Sequence, residues 1–290
     1  MKYQPASVVI AAHNNSNGLR NVLKGMLALS YPKYEIIVVD DGSLDNTKEM
    51  MKDFSKEKKI TYFRFEKNAG VCKARNKGIE LSKYEIVVNM DHDCVPEKNW
   101  LKKIVGGFEN EKVGVVSSYG YYGGTSTAFR KNLLKKVGGY DLDYGYYRED
   151  TDLSFKIMDL GYEFKLVKAN FLHDHTEIMP KGFIGIAKYV LKRLKYHQND
   201  VLLYKKHPTK ICKDFLHIKF GFLVDPYKDF SVATGLWQGK FNLSSPRGLV
   251  FLSADAWWKK IVIIIVGITY VVLVKTSRLV GSIKHQTLLI

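Results

Sequence analysis

Cysteine is scarce: three in 290 residues, Cys72, Cys94 and Cys212. They are far apart, odd in number and never in a C-x-x-C pair. That excludes a disulfide framework and fits a reducing compartment. Seven prolines and 23 glycines are too few for a low-complexity or collagen-like chain, and an apolar share of 46% is too high for a disordered one. No repeat of solenoid period is present. The first apolar run, residues 6–12, is short and β-branched and opens into a polar loop, so no signal peptide is expected there. The length allows one large domain or two small ones, with ample material for a core.

Acids are scarce as well, with 29 Asp+Glu against 45 Lys+Arg and a net charge of +16. The deficit is local. Residues 1–180 hold 27 bases and 24 acids, a net of +3, whereas residues 181–290 hold 18 and 5, a net of +13. Such a block suits a polyanion, either nucleic acid or an anionic membrane surface.

Short continuous apolar runs alternate with helical patterns along the first part of the chain. Strands are expected at residues 6–12, 35–39, 60–65, 85–90 and 113–118. Helices are expected at 19–27, 45–58 and 70–81, with another starting at Pro96. Strands without polar alternation, separated by helices, predict a mostly parallel sheet covered on both faces. Ligands of such sheets sit outside the carboxyl ends of the strands. The loops found there are His13-Asn14-Asn15, Asp40-Asp41 and Asp91-His92-Asp93. Four acids gathered at one edge would repel one another and raise their own pKa values. A divalent cation is the simplest remedy, and carboxylates are hard ligands suited to Mg²⁺ or Mn²⁺. His173 and His175 offer imidazoles that could complete such a site.

Several segments together resemble the family 2 nucleotide-sugar glycosyltransferases of the GT-A, Rossmann-like α/β fold. They include Ser7-Val8-Val9-Ile10-Ala11-Ala12-His13-Asn14, Ile37-Val38-Val39-Asp40-Asp41-Gly42-Ser43, and Ala74-Arg75-Asn76-Lys77-Gly78. Further matches are Asp91-His92-Asp93-Cys94-Val95-Pro96, Val137-Gly138-Gly139-Tyr140-Asp141, and Glu149-Asp150-Thr151-Asp152-Leu153. The resemblance covers roughly the first 200 residues. It implies inverting transfer of a sugar from a nucleotide diphosphate-sugar to an acceptor hydroxyl. It assigns Ala11, His13, Asn14 and Asp41 to the nucleotide pocket, bordered by Arg75, with Asp40 supporting the loop. Asp91 would face the ribose or the metal, Asp93 would hold the metal, and His173 (or His175) would be a further ligand. Asp150 would be the catalytic base, beside the acid Glu149. Two positions depart from the usual family pattern: Ala11 stands where Pro is usual, and His13 where Tyr is frequent.

From about residue 205 the strand–helix alternation ends, which divides the chain into a catalytic domain, 1–204, and a basic, apolar helical region, 205–290. The apolar stretch 261–274 would span about 21 Å as a helix, against a hydrocarbon core of about 30 Å. Starting at Trp257 reaches about 27 Å but includes Lys259 and Lys260. That length suits a tilted span, an interfacial hairpin or a core helix. With Arg193, Lys195, Lys205, Lys206, Lys210 and Lys213 preceding it, the region predicts contact with an anionic membrane at its cytoplasmic face. The expected partners are a nucleotide-sugar donor and a saccharide or lipid-linked acceptor. Two other readings compete. A nucleotidyltransferase would need a phosphate-cradling glycine-rich loop, which residues 13–18 lack. A nucleic-acid-binding protein would need a recognition motif beside the charge, and none is found, so no nucleic acid is expected.

Overall fold

A computed structural model describes residues 4–120, 122–174, 182–244 and 250–290. The chain divides into two compact units, 1–177 and 178–290.

The first unit opens with β1 (Ala6–Ala12), α1 (Ser16–Leu27), β2 (Tyr34–Asp40), α2 (Thr47–Lys52), β3 (Ile60–Arg64), α3 (Val71–Leu81) and β4 (Ile86–Asp91). Then come β5 (Cys94–Pro96), α4 (Trp100–Gly106), β6 (Val113–Ser117), β7 (Thr127–Arg130), α5 (Lys131–Val137), α6 (Glu149–Met158), β8 (Glu163–Leu166) and β9 (Phe171–His173). Seven strands form one sheet in the order β3-β2-β1-β4-β7-β6-β8. Only β7 runs against the rest, pairing antiparallel with both β4 and β6. β1 and β2 are almost wholly buried, which is why their sequences carry no polar alternation. Helices cover the sheet. Leu19, Val22, Leu23 and Met26 of α1, for example, join β1, β2 and β4 in the core. Each fully buried aliphatic side chain contributes roughly 1.5–3 kcal/mol.

Chain order places the site. From β1 the chain moves outward through β2 and β3, then returns to the other side of β1 as β4. The order reverses between β1 and β4, and a crevice opens there at the strand carboxyl ends. His13, Asp41 and Asp91 lie at or just beyond those ends.

Several expectations need correction. α2 is six residues long and does not extend over 45–58. The buried apolar side chains of that segment are limited to Met50, Met51 and Phe54, and the charged run after Phe54 forms turns. Pro96 ends a strand and does not begin a helix. β5 pairs antiparallel with β9, matching Cys94 to His173 and Pro96 to Phe171, and α4 starts at Trp100. The fully buried Trp100 indole donates to Ser126 Oγ at 2.7 Å. Residues 215–224 form the end of a helix and a small hairpin, with the break at His217, which has φ +58°.

The second unit contains α7 (Gly182–Lys195), α8 (Gln198–Lys206), α9 (Lys210–Leu216), β10 (Ile218–Lys219), β11 (Leu223–Val224) and α10 (Pro226–Ala233). It continues with a 3₁₀ turn (Leu236–Gln238), β12 (Asn242–Ser244), β13 (Val250–Ser253) and α11 (Trp257–His285). α7 and α8 belong to this unit although both begin before residue 205. α11 packs on both, and its Ser277 Oγ donates to Leu194 O at 2.7 Å. A buried ion cluster holds the helices together. Arg278 donates to Asp200 of α8 at 3.1 Å and to both oxygens of Asp229 of α10 at 2.6 and 3.0 Å.

Candidate active site

The loop after β2 is built by its two aspartates. Asp40 is fully buried. Its Oδ1 accepts from Ser43 N at 2.8 Å, and its Oδ2 accepts from Tyr62 OH at 2.7 Å and Arg64 Nε at 3.0 Å. Asp41 accepts from the Ala69 and Gly70 amides at 2.6 and 2.9 Å. Gly42 has φ +66°, and a Cβ there would lie 2.4 Å from the Lys67 carbonyl carbon, so a side chain is excluded on two counts. The result clamps residues 67–70 against the end of β2. His13 Nδ1 lies 2.9 Å from Asp41 O, so Nδ1 carries the proton, and Nε2 accepts from Asn14 Nδ2 at 2.8 Å. Asn14 is tied to the same loop, donating its N–H to Ser43 Oγ at 3.1 Å and accepting from Leu44 N at 2.7 Å. Ala11 pairs with Val39 on one side and Asp91 on the other, directly at the switch point.

Across the crevice, Arg75 of α3 reaches three carboxylates. Nη1 donates to Glu149 Oε1 at 3.0 Å and to Asp150 Oδ1 at 3.1 Å, and Nη2 donates to Asp91 Oδ1 at 3.1 Å. Its side chain is 8% exposed. Burial opposes the charge, but Asp150, Asp91 and Glu149 outweigh it and keep the guanidinium protonated. Tyr140 lies beneath it, with the guanidinium 5.3 Å from the ring centre. Burial and the neighbouring Asp150 hold the Tyr140 phenol protonated. Its OH donates to Asp150 Oδ1 at 3.0 Å and in turn accepts from the Asn89 amide.

Glu149 and Asp150 share this environment but differ in access. Burial and the adjacent Asp150 push the Glu149 carboxyl up to about 7, against the pull of Arg75. Its side chain is 4% exposed, and Oε2 has no hydrogen-bond partner among the described residues. Burial also raises Asp150, and Asp91 adds to the rise, while Arg75 and the Tyr140 bond pull it back. Asp150 retains 14% side-chain exposure and is therefore the acid a substrate can touch. Gly123 (φ +134°) runs so close that a Cβ there would lie 2.7 Å from the Asp150 Cβ.

The third group is held by the β5–β9 pair. His173 Nε2 lies 3.3 Å from Asp93 Oδ2, and the Asp174 amide donates to Asp93 O at 2.7 Å. Burial pushes the Asp93 carboxyl up, but the hydrogen bond and charge of His173, with His92, hold it below the usual range. Among the described residues, Asp93, Cys94 and His173 are grouped closely enough to hold a metal ion. The Asp93 oxygen and the imidazole suit Mn²⁺ or Mg²⁺. Cys94 does not fit. It is fully buried, and burial with the nearby Asp91 raises its thiol far above neutrality. Asp91, expected near both ribose and metal, is the most exposed of the acids at 38% and has one oxygen on Arg75. His175 lies outside the described residues.

The gathering of acids at the sheet edge is as expected, and each acid also has a partner within the protein. The protein supplies a partner for each: Arg64 for Asp40, backbone amides for Asp41, Arg75 for Asp91 and His173 for Asp93.

A family model for glycosyl transferase family 2 matches residues 7–176, more than half of the chain. The chain belongs to that family. It is 29% identical over 195 residues to the poly-β-1,6-N-acetyl-D-glucosamine synthase of Staphylococcus epidermidis, covering 55% of this chain and 47% of that protein. It is 25% identical over 193 residues to the Staphylococcus aureus protein of the same name, covering 54% and 46%. The chain thus spans about half the length of the curated relatives it matches. Among solved structures it is similar to the mannosyltransferase PcManGT from Pyrobaculum calidifontis, in complex with GDP-Man and Mn²⁺. That likeness has a TM-score of 0.63 and 19% identity, over 96% of this chain and 88% of that one. TarS of S. aureus is also similar, with a TM-score of 0.51 and 17% identity over 81% and 49%. These likenesses agree with the GT-A fold. Family membership makes this chain a glycosyltransferase.

Sequence reasoning missed two members of the glycosyltransferase site. Tyr140 donates to Asp150 and accepts from Asn89, yet nothing local marks either residue. Tyr140 lies within the matched Gly139-Tyr140-Asp141 segment, which was the one available signal. Arg75, expected to border the nucleotide, donates to Glu149, Asp150 and Asp91.

Proposed function

We propose that this glycosyltransferase moves a sugar, with inversion, from a nucleotide diphosphate-sugar to a hydroxyl of a saccharide or lipid-linked acceptor. The observation that carries the reading is Asp150. It is a carboxylate with residual access, held at one oxygen by Arg75 and Tyr140, so that its other oxygen is left to take the acceptor's proton as the hydroxyl attacks. Glu149, more deeply buried, balances Arg75 beside it. Ala11, His13, Asn14 and Asp41 line the nucleotide side. Asp41 keeps lone-pair capacity beyond the two amides it accepts, enough for a base N–H. Asp93 and His173, with Asp91 beside them, would hold Mn²⁺ or Mg²⁺. A bound ion neutralises the charge that develops on the departing diphosphate. A base on one side of the anomeric carbon and a stabilised leaving group on the other favour in-line displacement.

The activities of the named relatives support a saccharide product, and the Mn²⁺ in the Pyrobaculum complex supports a divalent cation. The +13 charge of residues 181–290 and the largely exposed α11, long and apolar enough to cross a membrane by length and composition, support work at the cytoplasmic face of an anionic membrane. The test is a donor screen with nucleotide sugars, scoring release of the nucleoside diphosphate with Mn²⁺, with Mg²⁺ and with chelator. One donor should respond, only with metal. Asp150→Asn should bind that donor and fail to transfer. Full transferase activity in Asp150→Asn would sink the assigned mechanism.

A further inference from the structure

The mode of membrane attachment can be read from the two faces of α11. Trp257, Ile261, Ile265, Ile268, Val272 and Ile283 are all exposed, from 47% at Ile261 to 75% at Ile283. At 100° per residue they fall within one arc, and that arc runs the whole 29-residue helix, about 43 Å at 1.5 Å per residue. This exceeds the hydrocarbon thickness of about 30 Å. A spanning helix would show lipid-facing residues all round over its middle and polar ones at its ends. α11 exposes a broad apolar arc over its middle, with Val262, Val266 and Leu273 beside the residues above, but its other side is packed against the unit and the exposed arc continues to Ile283 near the helix end.

The opposite face is already occupied. Gly267 seats α11 against α10, where a Cβ would lie 2.6 Å from Thr234 and 2.7 Å from the Phe230 ring. Gly281 seats it against α8, where a Cβ would lie 2.9 Å from Gln198 Cα. Arg278 locks both neighbours through Asp200 and Asp229. β13 of the small hairpin packs on the same helix. Gly267 lies near the middle of the charge-poor part of α11. If that part crossed the bilayer, α10, the following turn with exposed Gln238 and Lys240, and the hairpin would be drawn to bilayer depth. Open sheet edges and unpaired turn groups do not occur in hydrocarbon.

We infer that α11 lies in the plane of the membrane, its exposed face sunk into an anionic leaflet and both its ends on the same side. This rests on the membrane part of the proposed function. Trp257 and Trp258 at the helix start suit the headgroup level, and the surplus of lysine and arginine in residues 181–290 matches anionic lipid.

Two single variants of the full chain, Ser253→Cys and Lys284→Cys, test this in sealed membrane vesicles from expressing cells. Both positions are exposed, and Cys72, Cys94 and Cys212 are buried, so a membrane-impermeant maleimide has little background. Inside-out vesicles should label both variants equally, and right-side-out vesicles neither. Labelling of one variant in each orientation would show a spanning helix and overturn the inference while leaving membrane attachment intact. A chain found wholly in the soluble fraction would overturn the membrane reading itself. Purified protein should bind vesicles containing phosphatidylserine at least tenfold more tightly than phosphatidylcholine vesicles. Equal binding would remove the anionic leaflet from the inference.

Discussion

Replacing Arg75 with Met should keep the catalytic base protonated over a wider pH range without altering Asp150 itself. Arg75 is 8% exposed, and Asp150 Oδ1 lies 3.1 Å from Nη1. At an effective dielectric near 20, a unit pair at that distance is worth roughly 5 kcal/mol. The guanidinium is shared with Glu149 and Asp91, so Asp150 receives only part of this. An opposite charge at this range commonly lowers a carboxyl by about 1–3 pKa units, or roughly 1.4–4 kcal/mol. Burial already raises Asp150. Losing Arg75 therefore moves it further up. Because transfer requires the ionised carboxylate, the acid limb of the kcat–pH profile should shift alkaline by about 1–3 units. On the acid limb, activity should fall by roughly ten- to a thousandfold, and the loss should shrink as pH rises. Removing one member of a buried ion cluster also costs stability, about 3–5 kcal/mol before relaxation, so a urea melt must first show a folded variant. Arg75→Lys keeps the charge but lacks the fork that spans three carboxylates, and should lie between. A folded Arg75→Met enzyme whose acid limb coincides with that of the parent would refute the reasoning.

Other perturbations follow from the same geometry. Glu149 titrates near 7 against an ordinary value of 4.5; its contribution to stability is full below about 4.5 and is lost as pH rises through about 7, at most ~3 kcal/mol. Glu149→Gln should flatten that slope in urea melts between pH 5 and 8; an unchanged slope would exclude Glu149 as its source. His173→Ala should raise the Mn²⁺ concentration for half-maximal activity by roughly tenfold or more, and direct Mn²⁺ binding by electron paramagnetic resonance should weaken in parallel. Unaltered Mn²⁺ binding would move the site elsewhere. Arg278→Met leaves Asp200 and Asp229 buried without their shared partner, and the unfolding free energy should drop by about 3–5 kcal/mol. A loss under 1 kcal/mol would mean the cluster contributes little.

The sequence discloses acids more readily than their partners. Continuous apolar strands marked β1, β2 and β4 as buried and parallel, and that reading put Asp40, Asp41, Asp91 and Asp93 at one edge. It could not show β7, whose Thr-Ala-Phe-Arg is too short to carry a period. It could not show the β5–β9 pair either, since three residues ending in Pro96 read equally well as a helix start. Those two small features fix the site: β7 widens the sheet beside β4, and β9 delivers His173 to Asp93. Partner choice lies at long range, 16 residues from Arg75 to Asp91 and 75 to Asp150, beyond any local pattern. Once partners are known, the four acids separate by chemistry. Asp40 is neutralised by Arg64, and Asp41 has both oxygens on backbone amides; these two hold the loop. Asp91 is tied to Arg75 and so to the base. Asp93 is paired with an imidazole, a side chain that ligates cations as readily as it meets a carboxylate. Of the four it is therefore the acid whose partner can share a metal with it, and the metal requirement should follow Asp93 and His173 even though the sheet edge carries three other carboxylates.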